Sequence, residues 1–397
     1  MGFEAPHRKD ARAVMLETVQ NQKMARSPGC YVRGSTARFY EWLHALKRGA
    51  LPEGPEIWIC GDCHHGNLGP TGDEDGRVKI LLRDFDQAVI GNPAHDLVRL
   101  GLSLASSARG SDLPGIVTAK MLETLVAGYE AAFEAGVERP AEPKVIRRLL
   151  KKARKASWTT FARANIEDPR PTLPLGKRFW PLTQEERRQI ERLFAAPEIE
   201  RLMTALRPRK ETTAVKLIDA AFWRKGCSSL GRLRYAVLMG VGPGTAEDYC
   251  LMDVKEAVAP DAPHAAGRRM PREPARRVLE GARHLSPYLG DRMLPAKISG
   301  HSIFVRELLP QDLKIEIERL GENEAAEVAR YLAFVVGEAH MRQLGREDGQ
   351  SWLKDLRRSR SKSLDAPSWL WTSVVDLLAV HDRAYLDHCR RVATLQG

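Results

Sequence analysis

With 397 residues, 43% of them hydrophobic, the chain exceeds the length at which one hydrophobic core usually stops growing, which excludes a single small domain and implies two lobes. No run of about eighteen apolar residues occurs, which excludes a hydrophobic membrane span, and six cysteines without a paired framework point to reduced thiols in the cytoplasm. The net charge of +11, from 62 Lys and Arg against 51 Asp and Glu, draws anionic partners such as nucleotides.

Ala11–Arg26 has helical spacing, with Val14, Met15 and Val19 on one side, and Ser27-Pro28-Gly29 breaks it. Thr36–Leu46 is a second helix whose apolar Phe39, Trp42, Leu43 and Leu46 recur at three and four. Ile57-Trp58-Ile59-Cys60 is a short buried strand, with Val78–Leu82 expected as its hairpin partner across Thr71–Gly76. From Leu97 to Leu206 the pattern is helical, divided at Pro140–Pro143 and Pro169–Pro174. The second break runs into Leu175, Phe179 and Trp180, read as an ordered surface segment. The basic runs Arg147–Lys155 and Arg357–Lys362 read as solvated helical faces, which speaks against nucleic acid as a partner. Beyond Lys216 come strands: Gly226-Cys227-Ser228-Ser229-Leu230-Gly231 leads into Leu233–Val241, and the turn Gly242-Pro243-Gly244 into a strand from Tyr249 through Lys255 to Ala257. Pro274–Leu285 is a helix carrying Glu280, Ser302–Leu308 a strand, and Ala325–Leu344 a helix containing His340.

Reactive side chains concentrate in Cys60-Gly61-Asp62-Cys63-His64-His65-Gly66-Asn67 and in Arg83-Asp84-Phe85-Asp86. Asp62 can take a proton from an attacking hydroxyl, while Asn67 and Asp84 offer the hard oxygens that Mg²⁺ prefers beside phosphate groups. Asp86 reads equally as an accessory metal ligand or as a cap on the following turn. A glycine-bearing turn followed by Val254-Lys255 suits a nucleotide clamp, because small residues admit phosphate oxygens to backbone amides and the lysine neutralises them. Cys60-Gly61-Asp62-Cys63-His64 also fits a C-x-x-C-H haem attachment pattern, but Met1–Asp10 has no apolar core for the export that haem attachment requires. Zinc would need a second ligand pair, and Cys30, Cys227, Cys250 and Cys389 stand singly.

The Asp62 loop resembles the G-D-x-H-x-x-N catalytic loop of the protein-kinase-like superfamily, most closely its aminoglycoside-phosphotransferase branch. Asp84-Phe85, Gly91, Pro93 and Asp96-Leu97 fill that branch's D-F-x…G-x-P-x-x-D-L run. Over nearly its full length the chain is similar to a bacterial family known as domain of unknown function 2252. The likeness includes Val32-Arg33-Gly34, Asp96-Leu97-Val98-Arg99-Leu100, Gly226-x-Ser228-Ser229-x-Gly231, Val254-Lys255-Glu256-Ala257, Arg277-Val278-Leu279-Glu280-Gly281 and Val305-Arg306-Glu307-Leu308. In ordinary kinases the glycine turn, lysine and helix glutamate precede the catalytic aspartate; here Asp62 comes first. The resemblance therefore implies an α+β, bilobal, protein-kinase-like fold with circularly permuted lobes, an arrangement that preserves the folded site when the old termini lie close together. It divides the chain into residues 1–215 (large-lobe part with the catalytic and metal loops and a helical insert), 216–310 (small nucleotide lobe) and 311–397 (helices returning beneath the catalytic loop).

In that scheme Asp62 and Lys255 are catalytic, and Asn67, Asp84 and Asp86 hold Mg²⁺. Gly226, Ser228, Ser229, Gly231, Lys255, Glu280 and Glu307 bind ATP, with Glu280 holding Lys255 unless it is a surface glutamate paired to Arg276 or Arg277. Ser228 stands where the family has glycine, which stiffens the turn. Asp96 anchors the catalytic loop and His64 braces it, whereas Arg33 is open between a phosphate or acceptor contact and an ion pair. The implied activity is ATP- and Mg²⁺-dependent phosphoryl transfer to a small-molecule or protein hydroxyl. AMP transfer on the same fold and a nucleotide-binding pseudokinase are the alternatives, and the residue types do not specify the acceptor.

Overall fold

Strand-forming segments from the middle and later parts of the chain build one six-stranded antiparallel sheet, and helices from both ends build a second body. The computed structural model describes residues 9–72, 77–110, 113–134, 136–155, 172–204, 215–227, 229–242, 248–308, 315, 320–358 and 366–394. Its strands are β1 Ile57–Ile59, β2 Leu68–Gly72, β3 Val78–Leu82, β4 Val89–Gly91, β5 Phe179–Trp180, β6 Val215–Trp223, β7 Arg234–Val241, β8 Asp248–Glu256, β9 Met293–Ile298 and β10 His301–Leu308. The helices are α1 Lys9–Met24, α2 Pro28–Gly34, α3 Thr36–Ala45, α4 Ala94–Arg109, α5 Gly115–Ala131, α6 Lys144–Lys155, α7 Gln184–Phe194 and α8 Pro197–Thr204. Then come α9 Pro274–Leu285, α10 Pro287–Gly290, α11 Glu322–Met341, α12 Arg346–Arg358 and α13 Ser368–Thr394.

The six-stranded sheet runs β5-β6-β7-β8-β10-β9. Alternate residues point to opposite faces, so Trp180, Phe222, Tyr235, Val237 and Val254 form one core, and Phe179, Ala221, Trp223, Ala236 and Leu251 another. The first face is covered by Leu16 of α1, Ile190 and Phe194 of α7, and Ile199 and Met203 of α8. Helix α7 starts at a capping box in which the Thr183 hydroxyl accepts from the Glu186 N–H and the Glu186 carboxylate accepts from the Thr183 N–H. Residues 179–204, expected within the large lobe's helical insert, therefore pack with the sheet.

The helical body is built around α5 and α11, whose backbones approach closely because Gly128 lies at the crossing. A methyl group there would sit 2.1 Å from the Arg330 carbonyl oxygen. Helices α4 and α13 extend this core with Leu97, Leu100 and Leu104 of the first and Leu370, Val374 and Leu377 of the second, and Gly101 of α4 lies against Val374 and Leu370. The architecture is α+β, with a sheet part and a helical part, as expected. Among the described residues no helix is long and apolar enough to cross a membrane.

Two local expectations are corrected. Val78–Leu82 pairs with Leu68–Gly72, and β1 pairs instead with Val89–Gly91. A tight 3-10 turn at His65–Asn67 is followed at once by strand β2, which takes β3 as its partner and leaves β1 to β4. Phe179 and Trp180 form a buried edge strand, 3% and 0% exposed, because their rings pack on Trp223 and Phe222 of β6. The expected turn residues 73–76 and 243–244, Ser228 and Pro169 lie outside the described residues.

A pH-sensitive element lies in the core at His381. His381 of α13 is 1% exposed; its Nδ1 is 2.9 Å from the Leu377 carbonyl oxygen, and its Nε2 is buried without a partner. Burial, helped by the Arg99 and Arg38 charges, pushes its pKa down to about 3 from the ordinary value of about 6.5. The folded state thus holds this ring neutral while the unfolded chain protonates it. Its contribution is complete above about pH 6.5 and is lost as pH falls from there toward the folded value. Urea unfolding should show about 2 kcal/mol less stability at about pH 5 than at neutrality from this group, and His381→Phe should remove that slope.

Candidate functional site

Strand β1 ends at Ile59, and the loop that follows from Cys60 is fixed from behind. Asp96, fully buried in the first turn of α4, accepts the backbone N–H groups of Cys60 (2.7 Å) and Gly61 (2.9 Å). Its Oδ2 also lies 3.2 Å from Nε2 of His340 on α11. Gly61 has φ +72°, and a methyl group there would sit 2.1 Å from the Gln87 carbonyl oxygen, so only glycine fits this turn. The Tyr40 hydroxyl donates to the Gly61 carbonyl. Asp96 therefore has the anchoring role expected of it, and α11 returns beneath the loop.

Asp62 projects from this loop, 7% exposed. Its Oδ1 accepts from Arg99 Nε at 2.8 Å and its Oδ2 from the Thr36 hydroxyl at 3.1 Å, with His64 Nε2 3.7 Å from Oδ2. Burial pushes the Asp62 carboxyl above the usual aspartate range, against the opposing pull of Arg99 and Thr36. Asn67 donates its amide Nδ2 to the Asp62 carbonyl at 2.8 Å, which leaves its Oδ1 as the acceptor end of the side chain. Arg33 donates to the Cys30 sulfur at 3.1 Å.

The second acidic group meets the sheet. Lys255 of β8, 1% exposed, donates to both oxygens of Asp84 at 3.1 Å and pairs with Asp86 Oδ2 at 2.6 Å. Burial would raise both carboxyls, but they part company. Lys255, Arg306 and Arg234 outweigh it at Asp84 and hold that carboxyl well below the usual range, whereas Asp86, beside the Asp84 charge, is pushed up. Arg232 Nη1 also approaches Asp86 Oδ2, at 3.7 Å.

Two arginines tie this loop to its surroundings. Arg306 of β10 donates to the Arg83 carbonyl at 2.8 Å and to Asp253 Oδ2 at 3.1 Å; Asp253 also takes a two-pronged bond from Arg234, at 2.8 and 2.6 Å. Burial would raise the Asp253 carboxyl, but the two guanidinium groups hold it at about 2. Arg277 of α9 donates to the carbonyls of Ala88, Asp86 (2.7 Å) and Val258 (3.0 Å). Gln87 joins the same loop to residues 261–262 by donating to Asp261 Oδ2 (3.1 Å) and accepting the Asp261 N–H (2.7 Å).

Thr36, Asp62, Asn67, Asp84, Asp86 and Arg232 are among the residues lining one cleft of about 120 Å³. The sequence-derived acidic residues thus share one wall, with Lys255 bound behind Asp84 and Asp86. Gly226 (φ +107°) and Gly231 (φ +98°) lie in the turn between β6 and β7, where Ser229 is buried, and Lys23 donates to the Gly226 carbonyl at 2.9 Å. Ser228 is outside the described residues. Glu307 is buried on β10 opposite Met252 and is absent from the cleft wall.

Glu280 is corrected. It accepts from Arg283 at 2.9 Å, one turn along α9, rather than from Arg276 or Arg277, and Lys255 has Asp84 and Asp86 as its ion-pair partners. The reason is helix rotation: Ala275, Arg277, Val278, Gly281 and Ala282 are buried, and a methyl group on Gly281 would meet Ala88 at 2.6 Å. Arg277 therefore faces the loop at 84–88 and Glu280 stays partly exposed. Glu280→Ala should change stability by less than about 1 kcal/mol and leave nucleotide affinity at the wild-type value; a tenfold loss of affinity, measured by titration, would restore the clamp. Sequence reading missed Thr36, Arg99, Arg232 and Arg277 as site residues. Arg99 and Arg277 stood within the family-like motifs, but nothing in their local spacing marked them as partners of Asp62 or of the loop at 84–88.

No curated protein and no solved structure matches the chain. The family model described as "uncharacterized protein conserved in bacteria (DUF2252)" matches residues 12–391. The match takes in both acidic loops, the lysine strand and the helices that hold them, and the chain belongs to this DUF2252 family.

Proposed function

We propose that the protein is an ATP- and Mg²⁺-dependent phosphotransferase of circularly permuted, protein-kinase-like architecture, acting on the hydroxyl of a small molecule or protein. One observation carries this reading: Asp62, Asn67 and Asp84, from an early loop pair, line one cleft, and Lys255, from a late strand, is ion-paired to Asp84 behind that wall. The order of glycine turn, β7, lysine strand β8, helix α9 and the β9–β10 hairpin agrees with the nucleotide lobe that the sequence resemblance implies.

The donor set fits Mg²⁺. Asp86 Oδ1 is buried without a hydrogen-bond donor, Asn67 has its Oδ1 to offer, and the Asp84 side chain keeps 37% of its surface exposed. Among the described residues no group of three or more His, Cys, Asp and Glu forms a metal site by itself. Mg²⁺ does not need one, because it is commonly held by one or two carboxylates together with substrate phosphates. When bound, it neutralises charge on the transferred phosphoryl group.

Asp62 accepts the hydroxyl proton as the acceptor oxygen bonds to the γ-phosphorus and the bond to the departing ADP oxygen breaks. Arg99 and Thr36 fix the direction of its carboxylate, and Lys255 supplies positive charge to the nucleotide phosphates, which compete with Asp84 and Asp86 for its ammonium. The cleft of about 120 Å³ falls short of the roughly 300–1,000 Å³ typical of small-molecule pockets. Nucleotide entry therefore requires Arg232 to withdraw from Asp86, and the positive-φ glycines 226 and 231 give its turn the freedom to do so.

Incubation with Mg²⁺ and ATP labelled separately at the α and γ positions tests the proposal, with Asp84→Ala as control. Label transferred only from γ, and lost in the variant, supports it; label from α supports AMP transfer instead; nucleotide binding without transfer to any acceptor supports the pseudokinase. The pH profile adds a check on Asp62. Activity should fall on the acid side as Asp62 protonates, with a midpoint above that of an ordinary aspartate, and Arg99→Gln should move that midpoint to higher pH by removing the charge that opposes protonation. A midpoint indifferent to Arg99→Gln would remove Asp62 from the base's role.

A further inference from the structure

A second opening, of about 610 Å³, lies between the first turn of α3 and the C-terminal half of α13. Its wall carries Arg38, Arg383, Arg390 and Arg391 against one carboxylate, Asp387. That carboxylate is engaged by Arg390 at 3.1 Å, and among the described residues Arg38, Arg383 and Arg391 form no ion pair. Arginine forks in such numbers bind oxyanions, because their planar N–H pairs match phosphate and carboxylate oxygens. The volume lies within the range of small-molecule pockets.

Helix α3 contributes to both openings. Ala37 lines the cleft and Arg38, the next residue of α3, lines the groove. His381 of α13 feels the charges of both Arg99, which holds Asp62, and Arg38. The two openings are opposite in sign: four aspartates and one arginine line the first, four arginines and one aspartate the second. A molecule reaching from one to the other would carry an anionic group on one side and a reactive hydroxyl on the other.

We propose that the arginine groove between α3 and α13 is the acceptor subsite, selecting small hydroxyl compounds that carry an oxyanion, either phosphate or carboxylate. This rests on the phosphotransferase reading. Titration calorimetry on the full chain at physiological salt tests it, with glycerol 3-phosphate, glycerate and neutral glycerol as probes and Mg²⁺–ATP as a separate titrant. Wild type is compared with Asp84→Ala and with the double variant Arg383→Ala/Arg391→Ala, whose two sites are exposed and bury no core.

The expected result is millimolar or tighter binding of one or both anions but not of glycerol, unchanged by Asp84→Ala. The double variant should bind the anion at least about tenfold more weakly while keeping wild-type affinity for Mg²⁺–ATP. Whichever anion binds names the acceptor's charged group. Absence of anion binding, indifference to the arginine changes, or loss with Asp84→Ala overturns the groove; if Mg²⁺–ATP still binds, the phosphotransferase reading survives. Failure of wild type to bind Mg²⁺–ATP removes that reading and the acceptor role with it, even where the groove takes an anion. Tighter binding of heparin than of either small anion, abolished by the same arginine changes, overturns the small-molecule assignment in favour of a polyanion.

Discussion

Asp62→Asn is expected to lower phosphoryl transfer from Mg²⁺–ATP by about 10²–10⁴-fold, the usual contribution of a positioned general base. The amide keeps the shape of the carboxylate and an oxygen for Arg99 Nε, and the Thr36 hydroxyl can reverse its role from donor to acceptor. What disappears is the proton-accepting charge. Arg99 is fully buried, so losing its counter-charge costs stability as well, by about 1–3 kcal/mol. The two effects separate experimentally: urea unfolding measures the second, and single-turnover transfer at a temperature where the variant is folded measures the first. Nucleotide affinity should stay near the wild-type value, since Lys255, Asp84 and Asp86 are untouched. Transfer within tenfold of wild type would exclude Asp62 as the base.

Asp96→Ala should be the most damaging single change to the fold around the site, costing about 3–5 kcal/mol. Asp96 has no exposed surface, and its two oxygens satisfy the N–H groups of Cys60 and Gly61 and face His340. Truncation leaves both N–H groups and the imidazole without this acceptor in a dry interior, where unsatisfied donors are expensive. Because these two amides begin the turn that aims Asp62, transfer should be lost along with stability. Asp96→Asn, which keeps one acceptor oxygen, should fall between wild type and Asp96→Ala in urea unfolding. A cost below about 1 kcal/mol for Asp96→Ala would mean that the loop is held by other contacts.

The sequence alone was sufficient for what local chemistry encodes. Helical spacing located Thr36–Ala45 and Pro274–Leu285, Pro28 and Gly29 marked the end of the first helix, and β-rich runs located β7, β8 and β10. The acidic loop residues were legible as a group because their spacing is short and their side chains are of one chemical kind. Strand pairing was less legible. A run such as Val78–Leu82 fits more than one partner, and the one it takes is β2, the strand that directly follows the tight turn at His65–Asn67.

Contacts between distant residues belonged to the tertiary structure. Arg99 and Asp62 are separated by 37 positions and Lys255 and Asp84 by 171, so no local pattern links either pair. The same holds for helix α9, where the sequence marked Glu280 but the packing of Gly281 against Ala88 set the rotation that turned Arg277 inward instead. Side-chain type and short-range spacing are written in the chain itself, whereas the partner of a buried charge depends on which surfaces the whole core brings together, and only the folded molecule determines that.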